Sequence, residues 1–228
     1  MKSIIMAMDL EFFPCDLVTW DGFYDLARAL SRKIKASGWR PDLVVAIGRG
    51  GYVPARVVCD LLVHDLLTSI KVEHWGIAAR KRDRAWVRFP LATAVSGQRG
   101  LVVDDVTDTG DTLLAAAGYL KGLGPGEVRT AVLQHKASSS FEPDYYAERI
   151  DVWRWIIYPW AAHEDLVGFT ERVLTGADRP LSKGEIIADL KRRFEIDLDP
   201  EEMAEVLEDV VALGMAARSG SVYQVNRC

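Results

Sequence analysis

The stretch 101–112, LVVDDVTDTGDT, joins an apolar run to carboxylates, hydroxyls and a glycine within twelve residues. The apolar run can form a buried strand, and the Thr/Asp/Gly loop precedes a helix-like segment, residues 113–120. Backbone N–H groups and hydroxyls at the start of such a helix can bind an anion. Two adjacent carboxylates beside an anion site suit a ligand that carries a polyol, a phosphate and Mg²⁺.

Asp104 and Asp105 are the paired carboxylates of this stretch. Adjacent strand residues point to opposite faces, so both reach one ligand only where the strand ends and the chain turns. The simpler interpretation is a solvated strand end followed by an ordinary turn, because Asp, Thr and Gly favour turns by themselves. The complete order, Asp-Asp, two further residues and then Asp-Thr-Gly-x-Thr, is much more specific than an aspartate pair alone.

A second loop, Gly48-Arg49-Gly50-Gly51, follows the apolar run 42–47 and precedes a helical pattern over 54–62. A glycine turn is a weak signal by itself because such turns are common. Here the order predicts a βα unit whose loop lies at the carboxyl end of a strand. Open α/β sheets bind ligands at that edge.

Other segments extend an alternation of strands and helices along the chain. A helical pattern covers 23–34, and β-type runs cover 69–75, 85–91, 128–133 and 151–157. Strands that alternate with helices predict an α/β fold with a mainly parallel sheet flanked by helices.

Basic residues are concentrated between two of these predicted strands, in the segment 76–84. They are Arg80, Lys81, Arg82 and Arg84. The general interpretation of such a charge run is a solvated, mobile hairpin tip. The functional alternative is a lid that closes over an anionic substrate and excludes water from a reactive intermediate.

The composition changes after Gly176, so we expect two domains, residues 1–176 and 177–228. In the second, a capping box at Ser182 and Glu185 opens a helix over 181–194, and a further helix covers 200–213. A predicted hairpin over 215–225 completes a small α+β module that resembles part of a winged helix. Its eleven acidic and seven basic residues argue against a DNA-facing surface.

The composition is that of an ordinary globular protein. The chain has 228 residues, 49% hydrophobic and 27% charged, with a net charge of −5, which gives no electrostatic attraction to nucleic acid. Cys15, Cys59 and Cys228 are too widely spaced to indicate a disulfide framework or a zinc site. The apolar segment at the N-terminus is too short for a signal sequence or a membrane span, so we expect a cytoplasmic protein.

The stretch 101–112 resembles the phosphoribosyl pyrophosphate (PRPP) motif of type I phosphoribosyltransferases. This resemblance implies that Asp104 and Asp105 bind the ribose hydroxyls and help to place Mg²⁺, mostly through the substrate and water. It implies a 5′-phosphate loop made of Thr107, Asp108, Thr109, Gly110, Asp111 and Thr112. In purine-salvage members of the family the residue at Asp108 also faces N7 of the base, which makes it the candidate proton acceptor.

The glycine loop corresponds in position to the family's pyrophosphate loop. The resemblance implies that Arg49 holds the pyrophosphate leaving group, while Gly50 and Gly51 permit a close backbone approach. Relatives can have a cis peptide bond in this loop, and here the Gly48–Arg49 bond is its expected place.

The third part of the resemblance is a base-recognition segment over 134–165. A lone lysine is ordinarily exposed, and Trp153, Trp155 and Trp160 would ordinarily be core or strand residues. In purine-specific relatives, a lysine at the position of Lys136 donates to the 6-oxo group. The ring of Trp155 would then stack on the purine, and the backbone of Ile156 would read the C2 substituent.

One departure from the family pattern follows Trp160. Many relatives have an acidic residue there that assists a second metal, whereas this chain has Ala161 and Ala162. Glu164 or Asp165 are the candidates to replace it from a shifted position.

The resemblance, over about 19–160, implies Mg²⁺-dependent transfer of phosphoribosyl from PRPP to a 6-oxopurine (guanine, hypoxanthine or xanthine), by a homo-oligomer. One alternative is a PRPP-sensing regulator that acts through the C-terminal module, although a sensor has no need of Arg49, Lys136 and Trp155. The other is a transferase for a pyrimidine or adenine. Lys136, a donor suited to an oxo group, disfavours that second alternative.

Overall fold

The computed structural model describes residues 12–75 and 81–226. These residues form two compact units, one made of 19–75 and 81–153 and the other of 12–18 and 154–226. In the described part of the chain, no helix is both long and apolar enough to cross a membrane.

The first unit contains three helices and six strands. The helices are α1 (Trp20–Ala36), α2 (Tyr52–Leu62) and α3 (Asp111–Lys121). The strands are β2 (Leu43–Gly48), β3 (Leu67–Trp75), β4 (Lys81–Phe89), β5 (Arg99–Thr107), β6 (Glu127–Lys136) and β7 (Tyr145–Ile150). They form one sheet in the order β4-β3-β2-β5-β6-β7, in which only β4 runs antiparallel to its neighbour.

Helices cover both faces of this sheet. The α3 residues Leu113 and Leu120 share a buried cluster with Val45 of β2 and Val102 of β5. Because side chains alternate across a strand, the equally buried Val44 must face the opposite side, where α1 and α2 pack. The predicted mainly parallel α/β sheet flanked by helices is therefore confirmed.

The second unit contains three helices and five short strands. Its helices are α4 (Ala162–Thr175), α5 (Lys183–Phe194) and α6 (Pro200–Ala212). Its strands are β1 (Cys15–Leu17), β8 (Trp155–Ile157), β9 (Leu181–Ser182), β10 (Ala216–Ser219) and β11 (Val222–Val225). β1 pairs in parallel with β8, and β10-β11-β9 form an antiparallel sheet.

Aromatic packing fixes the centre of this second unit. Phe13, Phe169 and Phe194 are buried, and their ring centroids lie 4.8–5.8 Å apart. The predicted capping box is present at the start of α5, where Ser182 and Glu185 exchange hydrogen bonds. The predicted C-terminal hairpin is also present, as β10 and β11.

The sequence interpretation missed four elements, β1, β7, β9 and α4, and it overextended one. The β-type run 151–157 is a strand only at Trp155–Ile157. Pairing of Cys15 with Trp155 joins segments about 140 residues apart, which no local pattern specifies.

Candidate active site

Asp104 and Asp105 lie near the carboxyl end of β5, but the strand does not end at them. It continues to Thr107. Each carboxylate accepts from the backbone N–H of the following residue: Asp105 N–H to Asp104 Oδ1 at 3.1 Å, and Val106 N–H to Asp105 Oδ1 at 2.7 Å. The carboxylates are thus held by their own strand.

The aspartate pair has the chemistry of a cation site. Burial, and then the negative charge of Asp105, raise the pKa of Asp104 well above its usual value, and the charge of Lys71 opposes them in part. Carboxylate oxygens are the ligands that Mg²⁺ prefers, and this ion commonly binds through one or two carboxylates plus water and substrate oxygens. The two side chains therefore fit Mg²⁺.

The glycine loop after β2 lies against the aspartate pair. A Cβ on Gly50 would overlap the Asp105 carboxylate, and one on Gly51 would overlap the backbone carbonyl of Val103. The Gly51 clash is with backbone, and the Gly50 clash is with a carboxylate that the backbone N–H of Val106 holds in place. Glycine is thus required at both positions for this approach. The Gly48–Arg49 peptide bond is cis, as expected, and Arg49 is exposed.

The loop between β5 and α3 is held in place by contacts with Ser140 and Phe141. Gly110 has φ of 91°, and a Cβ there would meet Phe141 Cβ at 2.6 Å. The carbonyl of Thr109 accepts from the backbone N–H and the hydroxyl of Ser140, at 3.1 and 2.9 Å. Thr109 Oγ1 donates to Asp111 Oδ2 at 2.8 Å. The loop therefore has one well-defined conformation.

This loop also has groups suited to an anion. Gly110 precedes α3 and provides no side-chain cap, so the first turn of the helix presents backbone N–H groups. The hydroxyl of Thr107 is buried and has no hydrogen-bond partner among the described residues. Thr112 is partly exposed within that first turn. Together these groups provide the donor set that a phosphate requires.

The buried residues Asp108 and Lys136 form a cluster with the half-buried Trp153 at the same edge of the sheet. Lys136 Nζ lies 2.9 Å from Asp108 Oδ2, and Trp153 Nε1 donates to Asp108 Oδ1 at 3.1 Å. The ammonium also lies 4.8 Å from the centroid of the Trp153 ring. Only 3% of the Lys136 side chain is exposed. The general expectation of an exposed lysine is therefore wrong, because Asp108 supplies a buried counter-ion.

Trp155 and Ile156, the other predicted base-recognition residues, belong to the second unit. Both lie in β8, where Ile156 is buried and Trp155 half-buried. Trp155 Nε1 donates to Asp165 Oδ2 at 3.2 Å, which fixes the orientation of the indole. Asp165 is one of the two candidates to replace the acidic residue that relatives have after Trp160, and here it is hydrogen-bonded to Trp155.

The first part of the predicted lid, residues 76–80 with Arg80, lies outside the described residues. Lys81, Arg82 and Arg84 lie on β4 and not in the tip between the strands, because β4 begins at Lys81 and not at residue 85 as predicted; β4 does pair antiparallel with β3.

Sequence reasoning missed two contributors. Trp153 was grouped with ordinary core or strand tryptophans, yet its indole contacts both members of the buried ion pair. Ser140 was also given no role, yet its hydroxyl donates to the carbonyl of Thr109. The serine run 138–140 followed by Phe141 was the available signal for the contact of Ser140 with Thr109, whereas no feature of the sequence marked Trp153 as a contact of Asp108.

Comparison with known proteins agrees with this arrangement. A family model described as the phosphoribosyl transferase domain matches residues 16–165. The chain belongs to this family. A phosphoribosyltransferase of type I was the expectation from the PRPP motif, and it is confirmed.

Within the family, the chain resembles the purine phosphoribosyltransferases. It is 30% identical over 152 residues to the xanthine-guanine phosphoribosyltransferase of Cereibacter sphaeroides, an alignment that covers 63% of this chain and 84% of that protein. The corresponding enzyme of Roseobacter denitrificans is 29% identical over 154 residues, with 63% and 83% covered. The crystal structure of a purine phosphoribosyltransferase from Pyrococcus horikoshii matches with a TM-score of 0.55 and 30% identity, covering 64% of this chain and 93% of that one.

Proposed function

We propose that this phosphoribosyltransferase transfers phosphoribosyl from PRPP to a 6-oxopurine, giving the nucleoside 5′-monophosphate and pyrophosphate. The observation that carries the proposal is the buried pair of Lys136 and Asp108, of which Asp108 belongs to the PRPP motif. The resemblance to xanthine-guanine enzymes supports the same substrate class.

The buried pair matches one edge of a 6-oxopurine. The 6-oxo oxygen and N7 lie on the same edge of the ring; the oxo group is an acceptor, and N7 is a donor while it carries the proton that the reaction releases. An ammonium and a carboxylate 2.9 Å apart place a donor beside an acceptor. Adenine would instead bring the donor hydrogens of its 6-amino group to the ammonium. A 6-oxopurine therefore fits and adenine does not.

The two loops at the same edge of the sheet would hold PRPP. Asp104 and Asp105 would bind the ribose hydroxyls, the loop from Thr107 to Thr112 the 5′-phosphate, and Arg49 with its glycines the pyrophosphate. Asp104 and Asp105 would also hold Mg²⁺, whose positive charge would offset the negative charge of the pyrophosphate.

The reaction requires orientation and charge control more than a strong nucleophile. A ring nitrogen of the purine forms the bond to C1′, while the bond from C1′ to the pyrophosphate oxygen breaks and its electron pair leaves with pyrophosphate. Asp108 would accept the proton released by the purine at N7. Arg49 would stabilise the leaving group, and the basic residues Arg80, Lys81, Arg82 and Arg84 would help to exclude water.

Pyrophosphate release measured with a panel of bases tests this proposal. We expect PRPP-dependent release with guanine, hypoxanthine or xanthine. The kcat/KM for the best of these should exceed that for adenine or uracil by at least about 100-fold, because a site built to hydrogen-bond an oxo group leaves its donor unpaired with the wrong base. Release with none of the three 6-oxopurines would exclude the proposed reaction.

Gly50→Ala tests the pyrophosphate loop. The added methyl group overlaps the Asp105 carboxylate, so the loop must move away from the aspartate pair. We expect the KM for PRPP to rise at least about 10-fold, as displaced contacts cost about 1.4 kcal/mol or more. Gly118→Ala is the matched control, since a Cβ there meets nothing within 4 Å and alanine favours the helix. An unchanged KM in Gly50→Ala would remove this loop from the PRPP site.

Three further features belong to the same proposal. We propose that residues 177–228 form a winged-helix-like module within the second unit, supported by α5, α6 and the hairpin of β10 and β11. We also propose a homo-oligomer and a cytoplasmic location. The buried thiols of Cys15 and Cys59 are unpaired, in keeping with a reducing compartment.

A further inference from the structure

Trp153 makes two different contacts within the cluster of Asp108, Lys136 and Trp153. Its indole N–H donates to Asp108 Oδ1, and its ring lies under the Lys136 ammonium at 4.8 Å. Each member of the cluster therefore contacts the other two. Trp153 itself is half-buried. In the sequence it comes after β7 and before β8, outside the PRPP motif.

These contacts constrain the geometry of the ion pair. Asp108 has one donor on each carboxylate oxygen, Lys136 on Oδ2 and Trp153 on Oδ1. With both oxygens bonded, the carboxylate has a defined rotation about its Cβ–Cγ bond. The face of the indole also attracts the ammonium, which restrains a long and otherwise flexible side chain. A buried ion pair keeps a productive geometry only when such additional bonds support it.

We propose that Trp153 is a positioning residue for base recognition, and that it determines how well the Asp108 and Lys136 pair distinguishes a 6-oxo from a 6-amino purine. This inference rests on the proposed function. Trp153 acts through its two neighbours: the N–H fixes the acceptor for N7, and the ring fixes the donor for the 6-oxo oxygen. Loss of the indole leaves both groups present but displaced with respect to that edge of the purine.

Trp153→Phe separates the N–H from the aromatic face, because it keeps a ring near Lys136 and removes the donor to Asp108. We expect the KM for guanine to rise about 10-fold or more, in line with a lost hydrogen bond to a charged group. The KM for PRPP should stay within about 2-fold, and the preference for guanine over adenine should fall. Trp153→Leu, which loses both contacts, should show the larger change in each quantity.

Two comparisons distinguish positioning from a general loss of structure. Trp20→Phe, at an exposed tryptophan of the same unit, should leave all of these parameters unchanged. In the Asp108→Asn background, Trp153→Phe should change the KM for guanine by less than about 2-fold, since the group through which the N–H acts is already altered. Equal increases in the KM for guanine and for PRPP, or full additivity with Asp108→Asn, would overturn the positioning role.

A spectroscopic measurement tests the contact without turnover. The chain has seven tryptophans, and Trp153→Phe identifies the indole N–H signal of Trp153 in a ¹H–¹⁵N spectrum by its disappearance. Asp108→Asn should shift that signal, while the signal of Trp20 stays in place. An unmoved Trp153 signal would refute the contact. The contact can be found while the wild-type protein fails to release pyrophosphate with any of the three 6-oxopurines. In that case the proposed function fails and Trp153 has only a structural role.

Discussion

Asp108→Asn is expected to lower kcat with saturating guanine or hypoxanthine by about 10² to 10⁴-fold, the usual contribution of a positioned general base. The asparagine amide keeps one acceptor oxygen, but its NH₂ group faces either Lys136 or Trp153, both of which are donors. The variant therefore loses the proton acceptor and also one of the two hydrogen bonds.

The chemical effect can be separated from an effect on folding. Activity should be expressed per folded molecule, with the folded fraction taken from circular dichroism. Asp151→Asn is the matched control, because Asp151 is an exposed aspartate of the same unit whose side chain is 78% accessible. Turnover of Asp108→Asn near the wild-type value would show that Asp108 is not the proton acceptor.

Lys136→Met is expected to lower the free energy of unfolding by about 3–5 kcal/mol, because it leaves the buried Asp108 carboxylate without its cation. The kcat/KM for a 6-oxopurine should fall as well, through loss of the donor to the oxo group. Urea unfolding followed by fluorescence or circular dichroism measures the first effect, and the pyrophosphate assay measures the second.

Two further variants are controls for the predicted change in the free energy of unfolding. Lys121→Met removes an exposed lysine of the same unit and should change stability by less than about 1 kcal/mol. The double variant Asp108→Asn with Lys136→Met should be more stable than Lys136→Met alone, since no buried charge then lacks a partner. A cost below about 1 kcal/mol for Lys136→Met would contradict the buried ion pair.

Several elements were predictable because their signals are local. The apolar runs that became β2, β5 and β6 specify buried strands by composition, and the glycines and threonines that follow them specify loops. The capping box at Ser182 was readable for the same reason, as its two partners lie three residues apart. The position of these loops at one edge of the sheet follows from parallel strand order.

Other elements depended on distant pairing. β1 has only three residues and exists because β8 offers it a partner about 140 residues later. β7 mixes polar and apolar residues, and its place at the sheet edge is given by β6 rather than by its own pattern. Such short strands are stabilised by their neighbours, so composition alone does not reveal them.

The sequence by itself determined the fold class, the PRPP motif and the order of its loops, because these reside in contiguous residues whose types dictate local structure. The tertiary structure decided that Lys136 is buried in an ion pair and that Trp153 contacts both members of this pair. Their partner, Asp108, lies 28 and 45 residues earlier in the chain, and a buried charge is stable only where folding brings its counter-ion and hydrogen bonds to it. No local pattern can encode that condition.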